Sequence, residues 1–215
     1  MRILVACESS GRVRDAFRAL GHDALSCDIL PTEAAGPHYQ GDVRDILADG
    51  WDLMIAHPPC TFLTCSAEWA LGDGPYHQKV KPGTLVGAAR REARREAVAF
   101  VQTLRSAPVP KIVIENPRGH LFAVLGKPQQ TIQPHWFGDD ASKATCLWIT
   151  GDLPLLVPTC HVAPRWVDGK PRWANQTDSG QNRLSPGPDR WKERSKSYPG
   201  FCAAMAEQWG KNIAF

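Results

Sequence analysis

Four short apolar runs, separated by helical or polar segments, constrain the fold of this chain most strongly. The runs are "RILVAC", "HDALSCDIL", "WDLMIA" and "VPKIVIENP", and each is followed by polar residues or proline. Between them, "RVRDAFRALG" and "LVGAARREARREAVAFVQTLRSA" carry apolar residues at helical spacing. Strands that alternate with helices predict an α/β fold with a mostly parallel sheet and helices on both faces.

The rest of the chain predicts shorter elements. "GDVRDIL" predicts one or two helical turns, "HLFAVLG" a short helix, and "QQTIQPHWFG" and "TCLWITG" two late strands. "YPGFCAAMAEQWG" predicts a terminal helix, because Pro199 stands near its start and Gly210 at its end.

Composition argues against several classes of protein. The 215 residues suffice for one domain with a proper core. No apolar run approaches the ~20 residues of a membrane span, and the first residues run directly into a strand pattern, so we expect no membrane or secretory segment. The seven cysteines lack CxxC spacing, which argues against a disulfide framework and predicts a reducing cytoplasm. Cys160 and His161 alone are too few ligands, so we predict no metal site.

The segment from His161 to Lys196 is basic and rich in tryptophan. It holds eight Lys or Arg residues against four acids, together with Trp166, Trp173 and Trp191. Cations interleaved with aromatic rings on irregular backbone suit phosphate contacts and base stacking. A solvated, proline-rich loop pinned to the core by its tryptophans is the alternative interpretation.

The polar residues of greatest interest follow the predicted strands. In open parallel sheets, ligands bind beyond the carboxyl ends of the strands. We therefore expect one site at that edge, which would bring together Glu8 to Gly11, Asp28, Asp42, Cys60 and Glu115.

The first strand and turn, "VACESSGRV", predict a nucleoside-type cofactor site. A small polar turn before a helix lets backbone N–H groups approach a ligand, and Asp28 at the end of the next strand could accept hydrogen bonds from ribose hydroxyls. The full GxGxxG fingerprint is absent, which argues against a nicotinamide dinucleotide. An ordinary strand-to-helix turn remains the alternative.

Cys60 is the candidate nucleophile. Pro58 and Pro59 fix the backbone path just before it, as is useful when one side chain must be aimed. A cysteine nucleophile needs exposure and a partner that the fold places beside it. Glu115 in "IENP" is that candidate partner, as a carboxyl kept partly protonated so that it can donate to a ring nitrogen. His57 could touch substrate, although a structural hydrogen bond is the other interpretation.

The helix segment "ARREARRE" predicts a solvated face with Glu92–Arg95 pairing. A DNA contact is the alternative for these arginines.

These motifs together resemble the cytosine-C5 DNA methyltransferase family. "CESSGRVRDAFRALGHDALSCDI" resembles the family's cofactor loop and ribose-binding acid, and "GDVRDI" its third motif. "HPPCTFLT" is similar to the Pro-Pro-Cys nucleophile motif, with Thr61 where glutamine is usual, and "IENP" to the Glu-Asn-Val motif. "ASKATCLWI" stands where the family has an arginine-pair strand and lacks the pair, and "RSKSYPGFCAAMAEQWG" has Lys196 and Ser197 in place of the last motif's Asn-Ser.

The resemblance implies a Rossmann-like class I S-adenosylmethionine-dependent methyltransferase fold and transfer of a one-carbon group to carbon 5 of cytosine in DNA. It implies Cys60 and Glu115 as catalytic residues. The residues it implies for the cofactor S-adenosyl-L-methionine are Cys7, Glu8, Ser9, Gly11, Asp28, Ile29, Asp42, Pro58, Lys196 and Ser197. Those implied for the substrate, DNA with a flipped base, are Asn116, Lys143, Arg165, Arg172 and Arg194.

The resemblance also divides the chain. We expect a catalytic, cofactor-binding domain over 1–150, a reduced recognition region over 151–195 and a C-terminal helix over 196–215 that returns to the first domain. So short a recognition region is typical of a phage or prophage enzyme. Three alternatives stay open: a free pyrimidine nucleotide or RNA as substrate, a non-catalytic nucleic-acid-binding homologue, and carboxymethyl transfer. The last would use carboxy-S-adenosyl-L-methionine, whose extra carboxylate Lys196 could pair with, unless Lys196 is simply a phosphate contact.

Overall fold

A computed structural model describes residues 1–211 and contains a seven-stranded sheet. Its order is β3-β2-β1-β4-β5-β7-β6. Residues 212–215, the end of the predicted C-terminal segment, lie outside the described residues. The strands are β1 (Arg2–Ala6), β2 (Asp23–Asp28), β3 (His38–Gln40), β4 (Leu53–Ala56), β5 (Ile112–Pro117), β6 (Gln130–Ile132) and β7 (Thr145–Thr150).

The first five strands are parallel, and β7 is the antiparallel strand of the sheet. β4 pairs with β1 on one side and with β5 on the other, so these three strands form the centre. β7 runs antiparallel to both β5 and β6. This arrangement confirms the predicted α/β architecture, a Rossmann-like, mostly parallel sheet with helices on both faces.

Helices cover both faces of the sheet because the central strands bury side chains on both sides. Ile3 and Val5 of β1 belong to one apolar cluster, whereas Leu4 and Ala6 belong to the other. The first cluster is covered by α1 and α5 and the second by α2. The helices are α1 (Arg12–Ala19), α2 (Gly87–Arg105), α3 (Leu121–Leu125), α4 (Arg190–Ser195) and α5 (Pro199–Gly210).

Several elements differ from the sequence-based expectation. β3 was not predicted, and the late strand predicted over 129–138 is confined to β6, after which Pro134–Trp136 form a 3-10 turn. Within the recognition region, β8 (Arg165–Val167) and β9 (Lys170–Arg172) form an unpredicted two-stranded hairpin. Within residues 1–211, no helix is long and apolar enough to cross a membrane.

Candidate active site

The carboxyl ends of β1, β2, β4 and β5 lie at one edge of the sheet, as predicted. β7 adds to the same edge because it is antiparallel: its first residue, Thr145, pairs with Pro117 at the end of β5. Lys143, two residues before β7, is thereby brought to the end of the strand that carries Glu115. Topology alone therefore places a cation from late in the chain beside the candidate catalytic carboxylate.

The turn after β4 presents Cys60 to solvent on a fixed backbone. Pro58 is buried and Cys60 is exposed. Asn116 is 2% exposed, and its Nδ2 donates to the Pro58 carbonyl at 2.8 Å. The turn closes through the amides of Leu63 and Thr64, which donate to the Cys60 carbonyl at 2.9 and 3.1 Å. Asn116, predicted to bind substrate, thus holds the proline pair from the neighbouring strand.

Glu115 is buried at the end of β5 and contacts His57 at the end of β4. His57 Nδ1 lies 2.9 Å from Glu115 Oε2, and both side chains are about nine-tenths buried. Burial raises the pKa of Glu115, but the hydrogen bond with His57 and the positive charge of Lys143 outweigh it and leave the pKa below its ordinary value. The partly protonated Glu115 carboxyl, able to donate to a ring nitrogen, stays a prediction.

Opposed charges act on the Cys60 thiol. Loss of solvation raises its pKa most, and the Glu115 carboxylate raises it further, whereas Lys143 and Arg194 lower it. The two cations are linked, since Lys143 Nζ donates to the Arg194 carbonyl at 3.1 Å. The thiol pKa lies above its ordinary value, so the nucleophile is mostly protonated until one of these influences changes.

In the predicted cofactor turn, Glu8 binds backbone and side-chain donors of the turn itself. This residue is 6% exposed, and its carboxylate accepts hydrogen bonds from Val13 N at 2.8 Å, Arg14 N at 3.3 Å and Ser10 Oγ at 3.0 Å. Glu8 thus satisfies the first amides of α1, the groups expected to approach a ligand. Gly11 begins the helix at φ +74°, where an added Cβ would lie 2.4 Å from the Arg14 guanidinium.

The end of β2 fits an adenosyl group. Asp28 is half-buried, and its Oδ1 accepts from Leu30 N at 2.9 Å, while no group within residues 1–211 donates to its Oδ2. Ile29 beside it is 74% exposed. The free Asp28 oxygen could accept a hydrogen bond from a ribose hydroxyl, and the exposed Ile29 side chain could pack against the base attached to that ribose. Burial raises the pKa of Cys7, which adopts φ +60° at the end of β1.

Asp42 and Lys196, two residues predicted to bind the cofactor, both form ion pairs within the protein. The Asp42 carboxylate accepts from the Arg44 amide at 2.9 Å and pairs with the Arg44 guanidinium. Lys196 Nζ contacts Glu33 at 2.7 Å and Glu193 at 2.6 Å.

The last motif is also tied to the cofactor turn. Arg12 donates to the buried Ser197 through the Ser197 carbonyl at 2.8 Å, while Glu33 N donates to the Ser9 carbonyl at 2.8 Å. The C-terminal segment is therefore joined to the turn after β1.

The hairpin arginines hold the recognition region together. Arg165 contacts Asp178 at 2.5 Å and the Gln176 carbonyl at 2.9 Å, and Arg172 Nε donates to the Asp178 carbonyl at 2.9 Å. Trp173 stacks on His135, with ring centroids 4.0 Å apart. Substrate binding by the two arginines stays a prediction.

A cavity of about 280 Å³ lies next to Lys143 and Arg194, and neither Cys60 nor Glu115 lines it. Its lining combines the recognition region and the C-terminal motif, and includes Lys143, Asn182, Arg194, Lys196 and Tyr198. Lys143 and Arg194 also act on Cys60, so the cavity and the thiol share their charged groups. A larger cavity of about 420 Å³ lies along α2 near Arg94 and His120, and none of the predicted site residues lines it.

Sequence reasoning missed three buried arginines near this edge. Arg14 is fully buried, and it donates to Ser26 Oγ and to the carbonyls of the connection between β2 and β3. Arg90 and Arg94 of α2 are 4% and 8% exposed, where a solvated face was predicted. The predicted Glu92–Arg95 pair is present on that helix. No sequence signal marked the three arginines, because each is held by backbone carbonyls of other segments.

No family model and no curated protein matches this chain. Among solved structures, similarity is found to an Escherichia coli protein described as a "putative DNA modification methyltransferase encoded within prophage". The TM-score is 0.45 at 14% sequence identity, over 75% of this chain and 52% of that chain. This chain thus spans about half the length of that protein, and the function proposed below rests on the site.

Proposed function

We propose that this protein transfers a one-carbon group from S-adenosyl-L-methionine to carbon 5 of cytosine in DNA through a covalent Cys60 adduct. One observation carries the proposal. An exposed thiol and a buried carboxylate, Cys60 and Glu115, lie at the carboxyl ends of the adjacent central strands β4 and β5, and the Glu115 carboxylate raises the pKa of the thiol. A pyrimidine ring between them could be attacked at one atom while its opposite edge is held.

The thiol performs the first step. Cys60 Sγ would lose its proton to solvent and form a bond to carbon 6, and the ring electrons displaced by that attack would make carbon 5 nucleophilic. S-adenosyl-L-methionine, when bound, would supply an electrophilic methyl group to carbon 5, with the sulfonium S–C bond breaking and the neutral thioether leaving. Loss of the carbon-5 proton to solvent then breaks the Sγ–C6 bond and returns the cysteine.

Glu115 would hold the N3 edge of the ring during the attack. A carboxylate accepts hydrogen bonds and a protonated carboxyl donates one, so Glu115 must take up a proton from solvent before it can donate to an unprotonated N3. The hydrogen bond from His57 orients the carboxylate for that exchange. Neutralising Glu115 would also remove one of the charges that raise the thiol pKa.

The residues present fit the proposed cofactor in part. Asp28 and Ile29 would hold the ribose and the adenine, since one carboxylate oxygen and one apolar side chain are available there. Glu8 would act indirectly by fixing α1. An S-adenosyl group needs no contact that these residues exclude.

Carboxymethyl transfer is less favoured by the contacts of Lys196. Its ammonium group already lies within 2.7 Å of two carboxylates. The carboxylate of a modified donor would have to replace one of them. We therefore propose methyl as the transferred group, and a nucleic acid rather than a free nucleotide as substrate because cations and exposed tryptophans accompany the site. The resemblance of the motifs to DNA methyltransferases favours DNA over RNA.

The test is mass spectrometry of nucleosides after incubation of DNA, RNA and deoxycytidine nucleotide with the purified protein and each donor. We expect 5-methylcytosine in DNA with the wild-type protein and none with Cys60→Ser. A DNA oligonucleotide carrying 5-fluorocytosine should become covalently attached, because fluorine replaces the proton whose loss releases the cysteine.

Cys65→Ser is the matched control, since Cys65 is also exposed and lies on the same segment as Cys60. It should modify DNA like the wild type. Equal adduct formation by Cys60→Ser, or DNA binding by the wild type without any adduct, would refute the proposed chemistry. The second outcome would favour the non-catalytic binding protein.

A further inference from the structure

Helix α2 directs two buried arginines at the turn that follows Cys60. Arg90 Nη2 donates to the Thr61 carbonyl at 3.1 Å, and Arg94 Nε donates to the Phe62 carbonyl at 2.8 Å. The two residues lie four positions apart, so both point from the same face of the helix. Consecutive carbonyls directly after Cys60 are therefore held by one rigid element.

The burial of these two side chains is costly, which calls for an explanation. Charged groups are rarely buried unless they are fully paired. Arg94 also forms a two-point contact with Glu68, at 3.0 and 2.7 Å. Arg90 contacts no carboxylate within residues 1–211, and its buried Nε has no partner there. Burial, and then the neighbouring Arg94, lower the pKa of Arg90.

The contacts of Arg90 are those of a brace for the turn. Besides the Thr61 carbonyl it reaches the Leu85 carbonyl at 3.4 Å, and its guanidinium lies over the Phe62 ring, 5.2 Å from the centroid. It thus touches both the backbone and the side chain of the turn. A hydrophobic residue of similar length could fill the space but could not donate to the carbonyl.

The opposite side of the turn is held as well. His120 N donates to the Leu63 carbonyl at 2.7 Å, and Asn116 holds Pro58 from β5. The backbone is thus fixed on both sides of Cys60 while the thiol itself stays exposed.

We propose that Arg90 and Arg94 are positioning residues, which act through the Thr61 and Phe62 carbonyls to aim the Cys60 thiol at its target carbon. This rests on the proposed function of Cys60. A misplacement of about 1 Å in a reacting group can lower a rate roughly a hundredfold. The arginines would therefore affect the step in which the Sγ–C6 bond forms and leave the binding of DNA nearly unchanged.

Arg90→Met tests the proposal, with Arg95→Met as the matched control. Arg95 lies on the same helix and is exposed, and its one ion-pair partner within residues 1–211 is Glu92. We expect the rate of adduct formation at saturating 5-fluorocytosine DNA to fall by about 10- to 100-fold in Arg90→Met. The dissociation constant for the same DNA should stay within about twofold, and Arg95→Met should match the wild type in both measurements. Arg90→Lys keeps one donor for Thr61 and should recover part of the rate.

A second measurement separates this inference from the proposed function. Hydrogen exchange at the Leu63 and Thr64 amides, which close the turn, should become faster in Arg90→Met and not in Arg95→Met. If the wild type forms no adduct, the proposed function fails, and the exchange result still decides whether the arginines order the turn.

The positioning role would be overturned by a wild-type adduct rate in Arg90→Met, or by a rate loss matched by an equal loss of DNA affinity. Unchanged amide exchange would overturn it too. Should Arg90→Met fail to fold, the same three criteria apply to Arg90→Lys and Arg94→Lys.

Discussion

Gly119 is the position where one methyl group should do most damage to the candidate active site. It follows β5 closely and forms a bridge with Thr64, across from the Cys60 turn. A Cβ at Gly119 would lie 2.0 Å from the Leu63 carbonyl oxygen and 2.9 Å from the Thr64 Cα. Ordinary contact begins near 3.4 Å, so Gly119→Ala must separate two backbone segments by more than 1 Å.

That displacement reaches the nucleophile directly. The amides of Leu63 and Thr64 both donate to the Cys60 carbonyl, so the turn moves as a unit. A shift of about 1 Å at the reacting atom costs roughly 100-fold in rate, which corresponds to about 2.7 kcal/mol of activation free energy. We expect Gly119→Ala to slow the formation of the 5-fluorocytosine adduct by this factor in single-turnover experiments.

Gly72→Ala is the control for this substitution. Gly72 adopts φ −72°, and the nearest atom to an added Cβ is the Trp69 carbonyl oxygen at 3.9 Å. Both variants should be compared with the wild type at a temperature well below their melting transitions, checked by circular dichroism. A Gly119→Ala protein that is folded and reacts as fast as Gly72→Ala would refute the idea that this close approach fixes the thiol.

Three further results are expected. Glu115→Gln should lower the pKa of Cys60 and speed its alkylation by iodoacetamide at neutral pH, whereas Lys143→Met should raise that pKa and slow the alkylation. If both variants changed the alkylation rate in the same direction, the opposed effects of Glu115 and Lys143 on the thiol would be contradicted. The pKa of Glu115 in the folded protein lies below its ordinary value of 4.5. The Glu115 carboxylate therefore stabilises the fold fully above pH 4.5, and this stabilisation is lost as the pH falls through the folded-state pKa. The free energies of unfolding of wild type and Glu115→Gln should accordingly converge at low pH. Trp166 is 68% exposed on the hairpin. Trp166→Ala should weaken the binding of single-stranded DNA by about 1–3 kcal/mol and leave the melting temperature of the protein unchanged. Unchanged binding in a fluorescence titration would exclude base stacking on Trp166.

The central part of the fold could be read from the sequence because it is encoded by local patterns. The strands β1, β4 and β5 are buried on both faces, so each is a continuous apolar run. Polar residues that follow such runs must gather at one edge of a parallel sheet. The convergence of Cys60 and Glu115 was therefore predictable without any knowledge of contacts.

The elements that were missed lack such patterns. β3 consists of His38, Tyr39 and Gln40 at the edge of the sheet, where neither face demands apolar residues. The β8–β9 hairpin contains Pro171, a residue that usually weakens a strand prediction. Short polar elements of this kind depend on the segments they pack against.

Side-chain partners were the least predictable feature of the site. Lys196 is paired with Glu33, which lies near the opposite end of the chain. Arg90 and Arg94 are buried because carbonyls of a preceding loop approach them, and charge patterning on the helix itself suggests a solvated face. Hydrogen bonds to backbone atoms leave no signature in side-chain sequence, so the fold was accessible and the bracing of the nucleophile was not.

The charged groups around Cys60 would respond differently to a bound DNA backbone and to a base inserted into the site. Lys143 and Arg194 lower the thiol pKa, so a DNA phosphate placed beside them would oppose that effect and make the thiol harder to ionise. Glu115 raises the thiol pKa, and this effect is lost only when the buried carboxylate takes up a proton that it can share with the N3 edge of a base. Backbone binding alone therefore works against the nucleophile, whereas a base inserted against Glu115 works in its favour. The site would in this way reserve its reactive thiolate for a flipped pyrimidine.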